Sequence, residues 1–228
     1  MPLKWPQNRV NSPYYHIIYS QKNDDTAELF IDNRCSNLKP TKKVKIVDIA
    51  FWRGGQAIYF NKKSYGVTGT DISLSTINFA SAFKNNTLHF YVHDTRRLIY
   101  INYFYVAICL FNRFGNLKRG KDHLSALVSL RKSLSKDGLL VLDYINSEKI
   151  TEQYTGQEAK HLDGISFNIS KKVLDRQPIK TISFEHKNKD YYFQEERKAF
   201  HQVEFKRLFH LSGLSILNIF GDYNLYTI

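Results

Sequence analysis

The segment "VKIVDIA", Val44 to Ala50, constrains the fold of this chain more than any other stretch. It is too short for a buried helix and too continuously apolar for a strand with one wet face, so it reads as a strand covered on both sides in a parallel sheet. Parallel strands need crossover connections, and helix signals follow in the right places. "GGQAIYFNKKS" reads as a helix, "YGVTGTD" as a strand and "SLSTINFASAFK" as a helix opened by Ser73. "TLHFYVHD" and "NYFYVAICLF" then read as strands, "KDHLSALVSLRKSLSK" as a helix and "GLLVLDYI" as a strand. Such alternation predicts a right-handed α/β sheet with helices on both faces, and ligands of that architecture bind at the carboxyl ends of the strands.

The flanking segments differ. Residues 1–22 form a Pro- and Tyr-bearing leader, and Asp24 and Asp25 precede "TAELFIDNRCSNL", where Ile31, Cys35 and Leu38 share one helical face before Pro40 ends it. After Tyr144 the period changes to strand-like alternation in "GISFNISKKVLD", "PIKTISFEHKN" and "KDYYFQEERKAF", an antiparallel insertion of about three strands. A helix "HQVEFKRLFHLSG" closes at Gly213 and a strand "LSILNIFGDY" follows. The expected organisation is therefore a leader and helix over 1–40, a ligand-binding core over 41–146, the insertion over 147–200, and a helix and strand completing the core over 201–228.

The charge balance is basic, with 33 Lys and Arg against 21 Asp and Glu and a formal charge of +12. The basic residues are scattered in short groups such as Lys42-Lys43, Arg96-Arg97 and Lys171-Lys172, which fits diffuse surface charge better than a polyanion-binding face. Tyr14-Tyr15 and Tyr191-Tyr192 with nearby lysines are candidates to stack on bases, but no nucleic-acid motif accompanies them, and packing within the insertion is the plainer reading. Cys35 and Cys109 belong to no CxxC pair, so neither a zinc site nor a disulfide framework is indicated. No signal-like apolar region and no long apolar run is present, and a cytoplasmic protein without a membrane span is expected.

Three carboxylates mark successive strand ends: Asp48 in "VKIVDIA", Asp71 in "VTGTDIS" and Asp94 in "FYVHDTR". An acid at the end of the second strand is placed to accept hydrogen bonds from both hydroxyls of a ribose, which makes an adenosine-bearing cofactor the expected ligand. A dinucleotide fold would carry G-x-G-x-x-G after its first strand, whereas positions 50–55 read Ala-Phe-Trp-Arg-Gly-Gly. Arg53 is a candidate partner for a ligand carboxylate or else a solvated rim charge. His93, beside Asp94, is a candidate general base or a structural histidine.

On these residues the sequence resembles the class I S-adenosylmethionine-dependent methyltransferases, in particular a small bacterial branch with a "SPYYH" leader and a β-rich insertion. The similarity runs through "NSPYYHIIY", "IVDIAFWRGGQAIYFNKKSYGVTGTDIS", "LHFYVHDTRRL", "KSLSKDGLLVLDYIN" and "SGLSILNIFGDYN". The resemblance implies a Rossmann-like three-layer sandwich with a small antiparallel β insertion near the C-terminus. It also implies S-adenosylmethionine as cofactor and methyl transfer to an acceptor, a small molecule by expectation. By the same resemblance Asp48, Ala50 and Gly54 border the methionine part, Asp71 and Ile72 the ribose, Asp94 and Thr95 the adenine, with Leu110 and Phe111 beneath it. Tyr14, Tyr15 and His16 belong to a leader folded over the site. Family members carry Cys and Gly where this chain has Phe51 and Trp52, an aspartate before the fourth strand where it has Tyr105, and small hydroxyl residues where it has Asn112 and Arg113. They also end in a hairpin whose last strand inserts beside the fifth, a strand not expected before Ile228. A methyltransferase-like binding module and, less favoured, an RNA-modifying enzyme are the alternatives.

Overall fold

The computed structural model describes residues 12–19, 28, 31–33, 44–52, 54–150, 154–175 and 177–226. Five parallel strands form its centre: β1 (Lys45–Ile49), β2 (Gly66–Asp71), β3 (Leu88–Val92), β4 (Phe104–Cys109) and β5 (Leu134–Leu142), in the spatial order β3-β2-β1-β4-β5. With β1 central, its residues are buried on both sides, as its apolar run requires. Ile46 faces a core built with α2 (Gly55–Lys62) and α3 (Leu74–Ala80). Val47 and Ile49 face the opposite core, with α4 (Gly120–Ser133) and α5 (Gln202–Ser212), and these two layers of helices complete the sandwich. α3 starts where expected, the Ser73 hydroxyl accepting the Thr76 N–H at 3.3 Å as an N-cap. α5 carries a reciprocal cap between His201 and Glu204 and ends at Gly213 in a left-handed conformation.

A second sheet is an antiparallel meander of four strands, β6 (Gly156–Leu162), β7 (Ile165–Leu174), β8 (Gln177–Glu185) and β9 (Asp190–Glu196), one more than the alternation suggested. The additional strand is β6, "GQEAKHL", whose residues are almost all exposed. An edge strand that buries so little has no apolar alternation to betray it. The opposite situation holds on the sheet's inner face, where Ile165, Phe167, Ile169, Ile182, Phe184 and Phe193 form a third core with Ile18 and Tyr19, at the end of the short helix α1 (Pro13–Ile18). Residues 13–19 of the leader thus pack with the insertion as a single body, the lid.

Other expectations shift. β5 begins at Leu134, so α4 stops three residues before the predicted Lys136. Residues 214–219 form no strand: Leu214 packs under α5, and beyond it Tyr223 donates its hydroxyl to Asp143 at 2.8 Å. Among the described residues, the parallel sheet therefore ends at β5. The predicted helix with Ile31, Cys35 and Leu38 is seen at Ile31–Asn33, with Ile31 buried, and the rest lies outside the described residues.

Candidate functional site

The strand order brings the three acids to one edge. β1 and β2 run in register from Lys45↔Gly66 to Ile49↔Thr70, and the Ala50 N–H extends the ladder to the Thr70 carbonyl at 2.7 Å. Asp48 is buried within β1, Asp71 closes β2, and the His93 N–H donates to the Asp71 carbonyl at 2.8 Å, so Asp94 lies just past β3 beside them. Ile72, the next residue, is partly exposed at the rim.

The turn after β1 answers how Phe51 and Trp52 are tolerated. Ala50, Trp52 and Gly54 have φ of 54°, 58° and 84°, three left-handed residues at alternate positions. Phe51 points inward, with its ring 5.1 Å from that of Phe90, and it is almost fully buried. Gly69 on β2 lies beneath it: an added β-carbon there would stand 3.1 Å from the Phe51 ring and 2.6 Å from that of Phe90. Trp52 points the other way, into the lid core, edge-on to Tyr19 at 6.3 Å. Arg113, on the turn after β4, covers its ring at 5.7 Å. Arg53 lies outside the described residues.

The electrostatics follow from this packing. Burial pushes the Asp48 carboxyl up to about 8, opposed by the positive charge of Arg113 and the Ala57 N–H and reinforced by Asp71. Its Oδ2 has no hydrogen-bond partner among the described residues. Asp71 is also raised by burial, opposed by the N–H of Ser73, which it accepts at 2.8 Å, by Arg113, and by the N–H groups of Trp52 and Ile72. Asp94 is held low by Arg96, which grips both its oxygens. The Cys109 thiol is buried and pushed up to about 12, which leaves it inert as a nucleophile.

Other predicted residues are placed as follows. Leu110 is buried under the turn after β4, where Phe111 and Asn112 both have positive φ. Both amide atoms of Asn112 are buried without a hydrogen-bond partner among the described residues. Thr95 lines a small pocket with Thr70, His93 and Ser129, between the sheet and α4. The His93 ring donates its Nε2 proton to the Arg97 carbonyl at 2.9 Å, so that nitrogen is not available as a base. Tyr14 belongs to the lid, its hydroxyl donating to Tyr191 at 3.3 Å and accepting from His186 Nδ1 at 3.0 Å. The side chains of Tyr15 and His16 lie outside the described residues. Tyr105 sits inside β4 against the α2–α3 core.

Sequence reading missed two groups. Asp143 follows β5, where its Oδ2 accepts the Tyr223 hydroxyl at 2.8 Å and the Asn112 N–H at 3.3 Å. Its signal was the same acid-after-strand pattern, in "VLDYI". Tyr19 donates to the buried Glu195 at 2.6 Å and receives Lys180 at 2.9 Å, a partnership across 176 positions that no local pattern announces.

The acceptors fit a cationic nucleoside cofactor: a buried carboxyl oxygen at Asp48 without a hydrogen-bond partner among the described residues, and a second buried carboxyl at Asp71 at the end of β2.

No family model matches the chain, and no curated protein does. Solved structures do. An S-adenosylmethionine-dependent methyltransferase from Clostridium acetobutylicum superposes with a TM-score of 0.78 at 16% identity over 94% of this chain and 90% of that one. The CcbJ methyltransferase from Streptomyces caelestis gives 0.78 at 11% identity over 98% and 94%. An amino pentose methyltransferase from Micromonospora echinaspora, solved with S-adenosylmethionine bound, gives 0.68 at 16% identity over 89% and 88%. The likeness spans nearly the whole length of each chain, and this chain has the fold of the class I S-adenosylmethionine-dependent methyltransferases.

Proposed function

We propose that this chain binds S-adenosylmethionine at the carboxyl ends of β1, β2 and β3 and transfers its methyl group to a small molecule in the cytoplasm. The observation that carries the reading is Asp71, a buried carboxylate at the end of β2 next to a left-handed turn after β1, in a fold shared with enzymes of that activity. A carboxylate offers about four acceptor positions, so beside its three backbone donors Asp71 keeps room for a ribose hydroxyl. The bound cofactor supplies an activated sulfonium methyl; the chain has to align an acceptor with it and exclude water. The lid is suited to the second task, since its apolar inner face meets the strand-end turn through Trp52. A small acceptor is supported by neighbours such as the amino pentose methyltransferase and a sugar N-methyltransferase from Streptoalloteichus.

Titration calorimetry with S-adenosylmethionine and S-adenosylhomocysteine tests the reading. Heat of binding is expected for both, reduced at least about tenfold in affinity by Asp71→Ala, in keeping with loss of charge-assisted hydrogen bonds. Silence from both ligands at millimolar concentration overturns it.

A second reading is a binding module that has given up catalysis, favoured by Trp52 fixed in the lid and by Arg113 presenting its charge to Asp48 and Asp71. The double change Phe51→Cys with Trp52→Gly separates the two. Cofactor binding by the native chain equal to that of the double variant rejects the loss of the site. RNA modification would instead show nucleic-acid affinity falling steeply with salt.

A further inference from the structure

We propose that Arg96 withdraws Asp94 from base recognition, so that this site accepts the cofactor's purine without reading its exocyclic amine. The inference rests on the cofactor reading above and names a selectivity within it.

The location follows from strand order. With the amino-acid end of the ligand at the turn after β1 and its ribose at Asp71, the base extends toward β3, the next strand outward. The His93 N–H to Asp71 carbonyl bond at 2.8 Å sets the residues after β3 directly beside the ribose position, so Asp94 is the first carboxylate on the base's side. A carboxylate there would be expected to accept the amine's hydrogens.

Most of its acceptor capacity is already used. Oδ1 of Asp94 accepts the Arg96 backbone N–H at 3.0 Å and the Arg96 Nε–H at 2.9 Å. Oδ2 accepts Nη2–H at 2.6 Å and shares the same Nε–H, at 3.0 Å. Three N–H groups of one residue thus take up most of the roughly four lone-pair positions that a carboxylate offers. The clamp is itself held from α4: Nη1 of Arg96 lies 3.4 Å from Asp122 Oδ1, and Asp122 Oδ2 receives Arg119 Nε at 3.2 Å. The turn is closed beneath it by the Arg97 N–H on the Asp94 carbonyl at 2.8 Å. An amine approaching Asp94 meets a carboxylate already neutralised by a bidentate ion pair, and gains little by bonding it. Arg96 is therefore a positioning residue that acts through Asp94.

The test compares S-adenosylhomocysteine with its counterpart in which the purine lacks the 6-amine, by calorimetry on the full chain. The native protein is expected to bind both within about threefold, where a site that hydrogen-bonds the amine through a carboxylate would favour the adenosyl ligand by about tenfold or more. Arg96→Met frees the carboxylate, and the preference for the adenosyl ligand is expected to rise to at least about tenfold. Asp94→Asn is expected to leave the native ratio unmoved. A merely structural role for Arg96 would weaken both ligands equally and leave their ratio at the native value, which overturns the proposal. A native preference of tenfold or more also overturns it and leaves the cofactor reading standing. Binding of neither ligand takes down both. Should the methionine variant fail to fold, Arg96→Lys, which keeps one ion pair and frees part of the carboxylate, must still raise the ratio.

Discussion

Gly69 makes the room in which Phe51 lies: a β-carbon at position 69 would stand 3.1 Å from the Phe51 ring, and 2.6 Å from Phe90 behind it. The large residue in the turn is thus matched by an empty position on the neighbouring strand. Gly69→Ala is expected to destabilise the fold by about 1–3 kcal/mol, the usual effect of overpacking. In a Phe51→Ala background, itself destabilised by about 3–5 kcal/mol, the same change is expected to do less harm because the rings can shift. Urea unfolding of the four proteins gives the coupling directly, and strict additivity would show that the two positions do not share the space.

The left-handed residues Ala50 and Trp52 give opposite predictions. Ala50→Gly relieves backbone strain with little packing lost and is expected to stabilise by up to about 1 kcal/mol. Trp52→Gly relieves roughly 1–2 kcal/mol of strain but removes a buried aromatic worth about 3–5 kcal/mol, so a net loss of about 2 kcal/mol is expected. A more stable glycine variant at position 52 would mean that the indole does not hold the lid.

The pH dependence comes from Asp48, pushed up to about 8 by burial. A group with a raised carboxyl pKa is ionised in the unfolded chain but still protonated in the folded one between about pH 4 and pH 8, so stability falls as pH rises across that window and levels off above it. Asp48→Asn is expected to flatten the fall, measurable as unfolding midpoints at pH 5 and pH 8. Affinity for the sulfonium cofactor is expected to rise toward pH 8 as the native carboxyl ionises, by at most about tenfold per unit, and to be level in the asparagine variant.

Arg113 faces Asp48, Asp71 and the Trp52 ring, and its charge opposes that of a sulfonium at the same acids. Arg113→Gln is expected to shift the preference for S-adenosylmethionine over uncharged-sulfur S-adenosylhomocysteine by about threefold to tenfold toward the cation, a modest effect because water reaches the guanidinium. An unchanged ratio by calorimetry would place Arg113 away from the sulfur.

The parallel core was legible because its strands carry their own burial record: "VKIVDIA" is mostly apolar, and β1 lies at the centre of the sheet. Ser73 was readable as a cap from its place before an apolar helix, and the cap is there. The acids at the strand ends were readable for the same reason, as polar residues interrupting apolar runs. β6 was not, since an exposed edge strand leaves no alternation, and neither was the direction of Trp52, which depends on aromatic partners more than a hundred positions away in β7–β9. The engagement of Asp94 was open to local reading, because its partner Arg96 is two residues on, but "HDTR" does not say whether the pair will close on itself.

Trp52 is by sequence a neighbour of Ala50 and by packing a neighbour of Tyr19, in the core that also holds Phe167. One side chain is therefore riveted to two bodies, the rim of the parallel sheet and the roof above it. Loss of the indole would therefore strip packing from the turn after β1 and from the antiparallel sheet at a single stroke.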